Sequence, residues 1–372
     1  MDWQRVAYSK SGWAEVENDW DALFARSEVS FFRSRRWCKA WLEVFGEALG
    51  TEIFTARHEE ALRGAYLLNR KTGTVLGVVP IHRAYLNTAG EEEGAGVSAE
   101  YNGVLLQPNV DPGTLQNLDE VLPRLGVDEL VAAGLTPKAL DFLQQNLPGW
   151  ATRVAWSEDP YIDLTAIRHR EATYRQAALS KNTRGQVNRT LNAYSKRGEI
   201  GIEIASSVER ALEMLSELKR FHQATWVARG QKGAFASDNF CRFHELLIRS
   251  CFDSGDIMMT RVTAGDQAIG LLYSFVDEGR ILFYQSGFRY EEDNRFRPGL
   301  ATHVTAVEEC LDRGYSEYHF LAGEDLTPRY KKSLSTDVEM LAWARFIRPS
   351  PKNTLLGWLR SFKQSLPSKR HR

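Results

Sequence analysis

The sequence predicts an α+β protein with mixed, mainly antiparallel sheets and two halves of similar element order. Along the whole chain, apolar residues at helical spacing alternate with short segments of strand-like alternation. In the second half, three alternating segments separated by turns at 265–266 and 277–279 precede a Pro-Gly pair, a helix and a further strand. The first half has a similar order, which indicates a duplicated unit although no residue-level repeat is present.

The first half is predicted to open with two helices, the second marked by Trp37, Ala40 and Trp41 at helical spacing. Gly73 is interpreted as a break between two strand segments. The predicted helices of this half span 14–26, 34–46, 114–124 and 137–147. Its predicted strands span 52–56, 64–69, 74–85, 129–133, 151–156 and 161–164.

The second half is predicted to begin with a basic helix at about 171–197. A long amphipathic helix follows, with Met214, Leu218 and Phe221 on one stripe. Gly314 ends the last predicted helix of the unit, as glycine commonly does after a helix C-terminus. The other predicted helices span 237–253 and 299–313, and the strands span 201–205, 257–263, 268–276, 280–285, 317–321 and 338–347.

Composition excludes several classes of protein. The 372 residues suffice for about two domains, and 43% hydrophobic with 26% charged residues excludes a collagen-like or disordered chain. The four cysteines form no CxxC pair, so we expect reduced thiols and neither a disulfide framework nor a metal site. Without a secretory apolar region in the first residues or a long apolar stretch elsewhere, we predict a cytoplasmic protein.

The formal net charge of −1 conceals uneven local charge. Residues 341–372 hold eight Lys or Arg and no acid, and 165–198 hold eight against the single Glu171. Residues 87–130 hold nine acids and one base, Arg124. Local fields of this kind attract charged partners. Because no nucleic-acid-binding motif is present and the body is acidic, DNA is not an expected partner.

Several motifs in order resemble one family. They are FFRSRRWCKAWLEVFG at 31–46, LSKNTRGQVNRTLNAYSKRG at 179–198, RFHQATWVARG at 220–230, FASDNFCRFHELL at 235–247, PGLATHVTAVEECLDRGYSEYHFLAGE at 298–324 and RYKKSL at 329–334. Together they resemble the GNAT acyltransferase superfamily, in its CelD/BcsL branch related to FemAB-type transferases. The resemblance implies two tandem GNAT-like domains: 1–164 on the structural or acceptor side, 165–350 with the site, and a basic amphipathic tail at 351–372.

The resemblance also implies acyl-CoA as co-substrate, with no permanently bound cofactor and no metal. In GNAT folds, backbone N–H groups at a helix start hold the pyrophosphate. The family pattern Gln/Arg-x-x-Gly-x-Gly/Ala is matched by Gly299 and Ala301, but Phe296 stands where the family has Gln or Arg. A helix that simply starts after Pro298 is the plain alternative. The donor-binding residues implied are Arg295, Arg297, Gly299, Leu300, Ala301 and Lys331.

The implied catalytic residues serve a direct attack of an amine on a thioester. His222 or Glu324 would take the amine proton, and Tyr284 or Tyr330 would protonate the departing thiolate. The implied substrate-binding residues are Trp226, Arg229, Gln285 and His319, the last standing where the family has aspartate. For each side chain a packed core residue or a solvated charge is the alternative.

The tail is predicted as a helix with Asn353 as N-cap and Pro367 as its end. Its apolar stripe comprises Leu355, Trp358, Leu359, Phe362 and Leu366, with basic residues around it. An interfacial helix on an anionic membrane, at the inner face, and a helix docked on the acidic body are equally compatible with this pattern.

The function expected first is N-acyl transfer from acyl-CoA to an amine of an envelope-related acceptor, either a long-chain lipid amine or an amino sugar of an exopolysaccharide. FemAB-like aminoacyl transfer from aminoacyl-tRNA is the alternative, favoured by the altered loop and the basic helix 181–197. That helix would bind anionic groups or simply face solvent. A non-catalytic scaffold of envelope assembly is the third hypothesis.

Overall fold

The computed structural model describes residues 3–75, 77–91, 96–108, 118–170, 172–323 and 329–357. Its strands are β1 (Trp3–Ala7), β2 (Glu52–His58), β3 (Ala61–Val75), β4 (Val79–Leu86), β5 (Leu105–Leu106), β6 (Glu129–Leu135), β7 (Ala151–Asp163), β8 (Ile200–Ile204), β9 (Ile257–Ala264), β10 (Gln267–Asp277), β11 (Arg280–Phe288), β12 (Glu317–His319) and β13 (Asp337–Ile347).

The α-helices are α1 (Lys10–Phe24), α2 (Arg35–Trp41), α3 (Leu118–Arg124), α4 (Pro137–Asn146), α5 (Leu164–His169), α6 (Tyr174–Ala177), α7 (Lys181–Ser195), α8 (Val208–Ala228), α9 (Asp238–Cys251), α10 (Pro298–Asp312) and α11 (Arg329–Leu334). Short 3-10 turns span Phe31–Arg33 and Ala234–Ala236, and a π turn at Leu42–Gly46 continues α2. Residues 351–357 are also helical.

The strands form one continuous sheet in the order β1-β2-β3-β4-β6-β13-β7-β12-β11-β10-β9-β8, with β5 paired to β3. Two pairs are parallel, β4 with β6 and β11 with β12, and the other pairs are antiparallel. Each half therefore consists of an antiparallel meander followed by one parallel neighbour. The predicted α+β class with a mainly antiparallel arrangement is confirmed.

The two halves exchange their last strands, so that their sheets become one. β7, the last strand of the first half, pairs with β12 of the second half. β13, the last strand of the second half, pairs with β6 of the first half. The exchanged strands also pair with each other from Ala151–Ile347 to Tyr161–Asp337. The edges that two separate sheets would leave open are thereby hydrogen-bonded.

The largest apolar core belongs to both halves. It contains α1 and α2 of the first half and α8 and α9 of the second, on one face of the sheet. Phe31 stacks on Phe275 with ring centroids 4.7 Å apart, and Trp37 meets Phe243 edge to face at 4.9 Å. The high aromatic content of the sequence thus fills a core between the halves.

Several predicted boundaries were wrong for local reasons. Gly73 does not interrupt β3, because this residue stays paired with Ile81 of β4. The basic helix predicted at 171–197 is divided into α6 and α7, because Ser180 caps a new helix and its Oγ accepts from Thr183 N–H at 3.2 Å. β12 ends at His319 rather than at 321, since Leu321 adopts a φ of 58°. Residues 114–117 of the predicted third helix lie outside the described residues.

The start of the tail packs against the first half. Its helix begins at Pro351 with Ser350 as cap, since Asn353 N–H donates to Ser350 Oγ; the prediction that Asn353 is the N-cap was wrong. Leu356 is buried against Val75 and Ile81. Residues 358–372 lie outside the described residues. In the part of the chain that the structure describes, no helix combines the length and apolarity needed to cross a membrane.

We expect both halves to unfold in one transition, because α2 is part of the core of both. Trp37→Ala should lower the free energy of unfolding by about 3–5 kcal/mol without splitting that transition. Denaturant unfolding followed by circular dichroism measures this. Trp156→Ala is the matched control, since this tryptophan is 50% exposed and its loss should change stability by less than about 1 kcal/mol. A variant in which one half unfolds early while the other keeps its wild-type midpoint contradicts the shared core.

Candidate active site

A gap opens between two parallel strands of the second half. β11 and β12 are paired only from Arg280–Glu317 to Leu282–His319. Beyond that point β11 continues to Phe288 along β10, while β12 has ended. Among the described residues, no strand is paired with this free edge of β11. Its backbone polar groups are therefore available to an extended ligand.

Two local features shape β11 at the gap. Tyr284 is an extra residue in a bulge, because Gln285 faces Tyr273 and Phe283 faces Ser274 on β10. Three residues on, Gly287 is crossed by α8 so closely that a Cβ there would lie 2.3 Å from Leu218 O. Only glycine fits under this crossing. The bulge and the glycine together let helix α8 lie directly against the strand beside the gap.

The helix start expected to hold the donor lies after the end of β11. No side chain caps α10 at Arg297, and Pro298 occupies its first turn. Arg297 donates from Nη1 to Gln186 Oε1 at 2.7 Å, which ties the loop to α7. Arg295 pairs instead with Asp293 at 2.7 Å and is largely exposed. An uncapped helix N-terminus beside a guanidinium favours an anionic group.

The rest of this loop is held by packing. Phe296 contacts the Tyr194 ring at 5.0 Å and lies under the Arg197 guanidinium at 3.5 Å. The phenylalanine that departs from the family pattern is thus an apolar anchor for the loop. Gly299 lies against Phe288, Leu300 is half-buried and Ala301 is buried. These three residues lie in the first turn of α10.

Buried aromatic residues and one neutral histidine lie beside the gap. His303 of α10 packs against Phe283, Phe320 and Tyr330, and its Nδ1 lies 3.1 Å from Tyr318 Oη. Burial lowers the pKa of His303 to about 3, so the ring is uncharged. Tyr330 is half exposed, and burial of its hydroxyl raises its pKa to about 12.

Lys331 lies under the segment that follows β12. Its Nζ donates to Phe320 O at 2.7 Å and Leu321 O at 3.1 Å. Burial lowers its pKa, and the carboxylates of Glu100 and Asp159 oppose that shift. Lys331 therefore positions the backbone at the gap.

His222 and Trp226 lie together at the end of α8. The His222 ring is buried between Trp226, 5.7 Å away, and Phe235, 5.0 Å away. Desolvation lowers its pKa, so the imidazole is neutral near pH 7. The Arg229 guanidinium lies 5.8 Å from the Trp226 ring and 5.9 Å from the ring of Tyr290, two residues after β11. Because His222 is one helical turn after Leu218, this group lies next to the point where α8 crosses β11.

Tyr284 and Gln285 have different surroundings. Tyr284 is directed into the shared core, where its ring lies 5.0 Å from Phe275 and 5.1 Å from His244. Desolvation raises its pKa well above 10, while a hydrogen bond from Ser98 N–H to its hydroxyl acts in the opposite direction. Gln285 is half-buried and its Oε1 accepts from Ser286 N–H at 3.4 Å. Glu324 lies outside the described residues.

A loop of the first half reaches the gap with two buried carboxyl groups. Glu100 accepts from Ala322 N–H and Gly323 N–H, both at 2.7 Å. Glu91 accepts from Trp41 Nε1–H. Burial raises the pKa of each carboxyl to about 7. Both line a cavity of about 280 Å³. Neither residue was predicted from the sequence as part of the site. The acidic character of segment 87–130 was the feature that could have indicated them.

His319 is fully buried at the junction of the halves, away from solvent. Its Nδ1 lies 2.8 Å from Asp159 Oδ2, and its Nε2 lies 2.9 Å from Glu317 Oε2. Burial alone would lower its pKa, but these hydrogen bonds and charges outweigh burial and raise the pKa to about 9. The ring stacks on Tyr161 at 4.8 Å. Tyr101 Oη also lies 3.0 Å from His319 Nδ1. Neither Asp159 nor Tyr101 was predicted as a partner of His319 from the sequence.

Comparison with known proteins shows a match to one domain family within the second half and a similar fold in several solved structures. Residues 181–332 match the family described as "Acetyltransferase (GNAT) domain". No significant match to a curated protein was found. The fold is similar to the C-terminal domain of a putative lysylphosphatidylglycerol synthetase from Agrobacterium fabrum, at 10% identity and a TM-score of 0.54, covering 94% of this chain and 96% of that one.

Two further structures have the same fold. L-PGS from Bacillus licheniformis is 9% identical with a TM-score of 0.54, covering 91% of this chain and 95% of that one. FemX is 12% identical with a TM-score of 0.56, covering 95% of this chain and 99% of that one. The overall fold of this chain is therefore similar to that of proteins of known structure.

The buried Glu91 makes stability depend on pH. A carboxyl whose folded pKa of about 7 exceeds its unfolded value of 4.5 favours the folded state when protonated. Its contribution is present below about pH 4.5 and is lost as pH rises to 7. Glu91→Gln should therefore be more stable than wild type at pH 8, by up to about 3 kcal/mol, and equal to it near pH 4.5.

Urea unfolding at several pH values between 4.5 and 8 measures this difference. Glu59→Gln, a change at an exposed turn, is the control and should follow the wild-type curve. If the free energies of unfolding of Glu91→Gln and wild type differ by the same amount at every pH, the raised pKa of Glu91 is contradicted.

Proposed function

We propose that this chain transfers an acyl group from acyl-CoA to an amine, with the donor bound in the gap between β11 and β12. The observation that carries the proposal is the early separation of these parallel strands beside the uncapped start of α10. Both features lie within the residues that match the GNAT domain family. We place the donor site in residues 165–350 and propose that residues 1–164 contribute to the acceptor side.

The donor is bound by two kinds of contact. Amide groups of an extended carrier arm pair with the free edge of β11 beyond Leu282. The carrier's phosphates face the first turn of α10, where Gly299 presents no side chain and Arg297 adds positive charge. Tyr290 and Tyr330, 55% and 39% exposed, provide an apolar surface at the mouth for the acyl chain. The proposed carrier contacts thus require no metal and no permanently bound cofactor.

The chemistry needs a neutral amine and a protonated leaving group. The amine nitrogen attacks the thioester carbonyl carbon, the C–S bond breaks, and the amine proton passes to neutral His222. Glu324 is the alternative base by resemblance. Tyr330, whose raised pKa keeps it protonated, donates to the thiolate and is reprotonated from the base. Tyr284 is similarly protonated but is directed into the core. Trp226, Arg229 and Gln285 are the proposed acceptor contacts.

For the acceptor we propose an envelope-related molecule, a long-chain lipid amine or an amino sugar, as in the CelD/BcsL branch. One structure of similar fold is named a lysylphosphatidylglycerol synthetase, which supports a lipid-linked acceptor. The basic tail supports a membrane-proximal location at the inner face. Its described start packs on the protein body, so this contact would involve residues beyond 357.

Aminoacyl transfer from aminoacyl-tRNA is the second candidate. Phe296 replaces the polar residue of the pyrophosphate loop. Helix α7 has Lys181 and Arg189 exposed and Arg184 half-buried. Such a surface attracts a phosphate backbone. FemX and the lysylphosphatidylglycerol synthetase share the fold. We rank this candidate second because the matched family is named for acetyl transfer.

Arg297→Glu should weaken binding of an acyl-CoA at least tenfold, because it places a negative charge beside the phosphates. Thermal stabilisation by acetyl-CoA, a long-chain acyl-CoA and free CoA measures binding; ligand at 100 times its Kd adds about 2.7 kcal/mol. Arg313→Glu is the matched control, since this arginine lies at the opposite end of the same helix. Stronger stabilisation by the long-chain thioester supports a lipid acceptor.

Equal weakening by both charge reversals would reject the placement of the donor phosphates at the start of α10. No stabilisation of the wild type by any thioester would reject acyl-CoA as donor. Transfer from a charged tRNA would then establish the second candidate. The absence of any transfer would leave the scaffold hypothesis.

His222→Gln should lower kcat at least tenfold while leaving the Kd for acyl-CoA and the melting temperature nearly unchanged. Glutamine keeps the size and polarity of the imidazole but cannot accept the amine proton at neutral pH. The wild-type kcat should rise with pH as His222 loses its proton. The kcat of the variant should not show this rise. His169→Gln, at the exposed end of α5, is the control. An unchanged kcat would reject His222 as the general base and favour Glu324 in that role.

A further inference from the structure

Three acidic or imidazole side chains from three adjacent strands meet at the junction of the halves. Asp159 lies on β7, His319 on β12 and Glu339 on β13, and one ligand atom of each lies within 4.8 Å of the others. Asp159 and Glu339 are directly opposed in the pairing of the exchanged strands. None of the three has a place in the proposed transfer reaction.

This cluster has fewer hydrogens than close contacts between its polar atoms. Tyr101 Oη lies 2.5 Å from Asp159 Oδ2 and 2.8 Å from Glu339 Oε2. A phenol has one hydrogen, which cannot lie in both contacts. His319 Nδ1, 3.0 Å from the same hydroxyl, has at most one hydrogen, which it shares with Asp159 Oδ2. One close oxygen–oxygen contact therefore needs an additional positive charge, either a proton or a metal ion.

The surrounding charges favour a cation. Besides Asp159 and Glu339, the carboxyl groups of Glu317 and Glu100 face the cluster. The nearby cationic side chains are Lys331 and Arg280, whose guanidinium lies 5.7 Å from the Tyr101 ring and is already paired with Asp277. Asp159 is completely buried, and its Oδ1 has no hydrogen-bond partner among the described residues. A buried carboxylate oxygen without a partner is strongly destabilising unless a cation accompanies it.

From these contacts we propose that Asp159, His319 and Glu339 bind one divalent transition-metal ion. His319 Nδ1 and one oxygen from each carboxylate are the ligands. The Tyr101 hydroxyl, which lies 2.5 to 3.0 Å from each of these atoms, is displaced when the ion binds. His319 Nε2–H donates to Glu317 at 2.9 Å, the carboxylate partner that metal-bound histidines usually have. Stacking on Tyr161 holds the ring in place. One imidazole with two carboxylates suits Zn²⁺ or a related transition metal better than Ca²⁺ or Mg²⁺.

An entry path leads to the site. Tyr101 and Glu339 line a cleft of about 1000 Å³ between the halves, together with Arg280, Leu341 and residues of α4. A hydrated ion can reach Glu339, which is exposed, before it meets the two buried ligands. On binding, the ion replaces the proton of His319 Nδ1, which is released to solvent. The bound ion then joins β7, β12 and β13, the strands through which the halves are connected.

The test is Zn²⁺ titration of the full chain after dialysis against EDTA, followed by calorimetry and by melting temperature. We expect one Zn²⁺ per chain, a rise in melting temperature, and proton release that appears as a buffer-dependent binding enthalpy. Glu339→Gln should raise the Kd at least tenfold, and His319→Gln should do the same. Asp141→Asn is the control, because this exposed aspartate lines the same cleft without reaching the cluster.

Glu339→Gln keeps the test decisive if His319→Gln fails to fold, since Glu339 is exposed. Failure to bind Zn²⁺ would overturn the proposal and assign the missing charge to a proton shared by the carboxyl groups. Unchanged binding by Glu339→Gln, or equal loss in Asp141→Asn, would also overturn it. These results are separable from the acyl-transfer assay, because none of the measurements uses a donor or an acceptor.

Discussion

The pairing of β7 with β13 is the constraint on which the rest of the structure depends. Each half ends in a strand that lies beside the other half, and the two strands are paired over nearly their whole length. A β-strand without neighbours leaves a row of unsatisfied backbone groups. Neither half can therefore satisfy its last strand alone. The shared core of α1, α2, α8 and α9 follows from this connection, because one sheet covers helices from both halves.

The same connection brings residues of both halves to the proposed active site. The segment after β12 is held from below by Lys331 and from the first half by Glu100, which accepts both of its consecutive N–H groups. The open edge of β11 thus lies beside residues of both halves. This arrangement gives the first half, which has no glycine-rich phosphate loop, a part in shaping a site whose proposed donor-binding features lie in the second half. Because buried carboxyl groups with raised pKa lie at this junction, the free energy of unfolding should depend on pH.

Part of this arrangement could be predicted from the chain. Helix and strand types were predicted well, since period and turn chemistry are local properties, and Pro298-Gly299 marked the start of α10 correctly. His222 and Trp226 are four residues apart on α8, and this spacing places their rings together. Lys331 was expected to face an anionic ligand, whereas it donates to two backbone carbonyls, because its neighbours come from a strand end ten residues earlier.

What the sequence by itself determined is therefore the repeated order of elements and the start of α10 at Pro298-Gly299. Boundaries predicted at Gly73 and Asn353 were wrong. Only the tertiary structure decided that the two halves exchange strands and that Glu100, Asp159 and Glu339 meet His319 and the segment after β12. The physical reason is distance along the chain. Periodicity and capping act within a few residues, whereas these carboxyl groups lie far from their partners in sequence. Their contacts arise when sheet register is fixed.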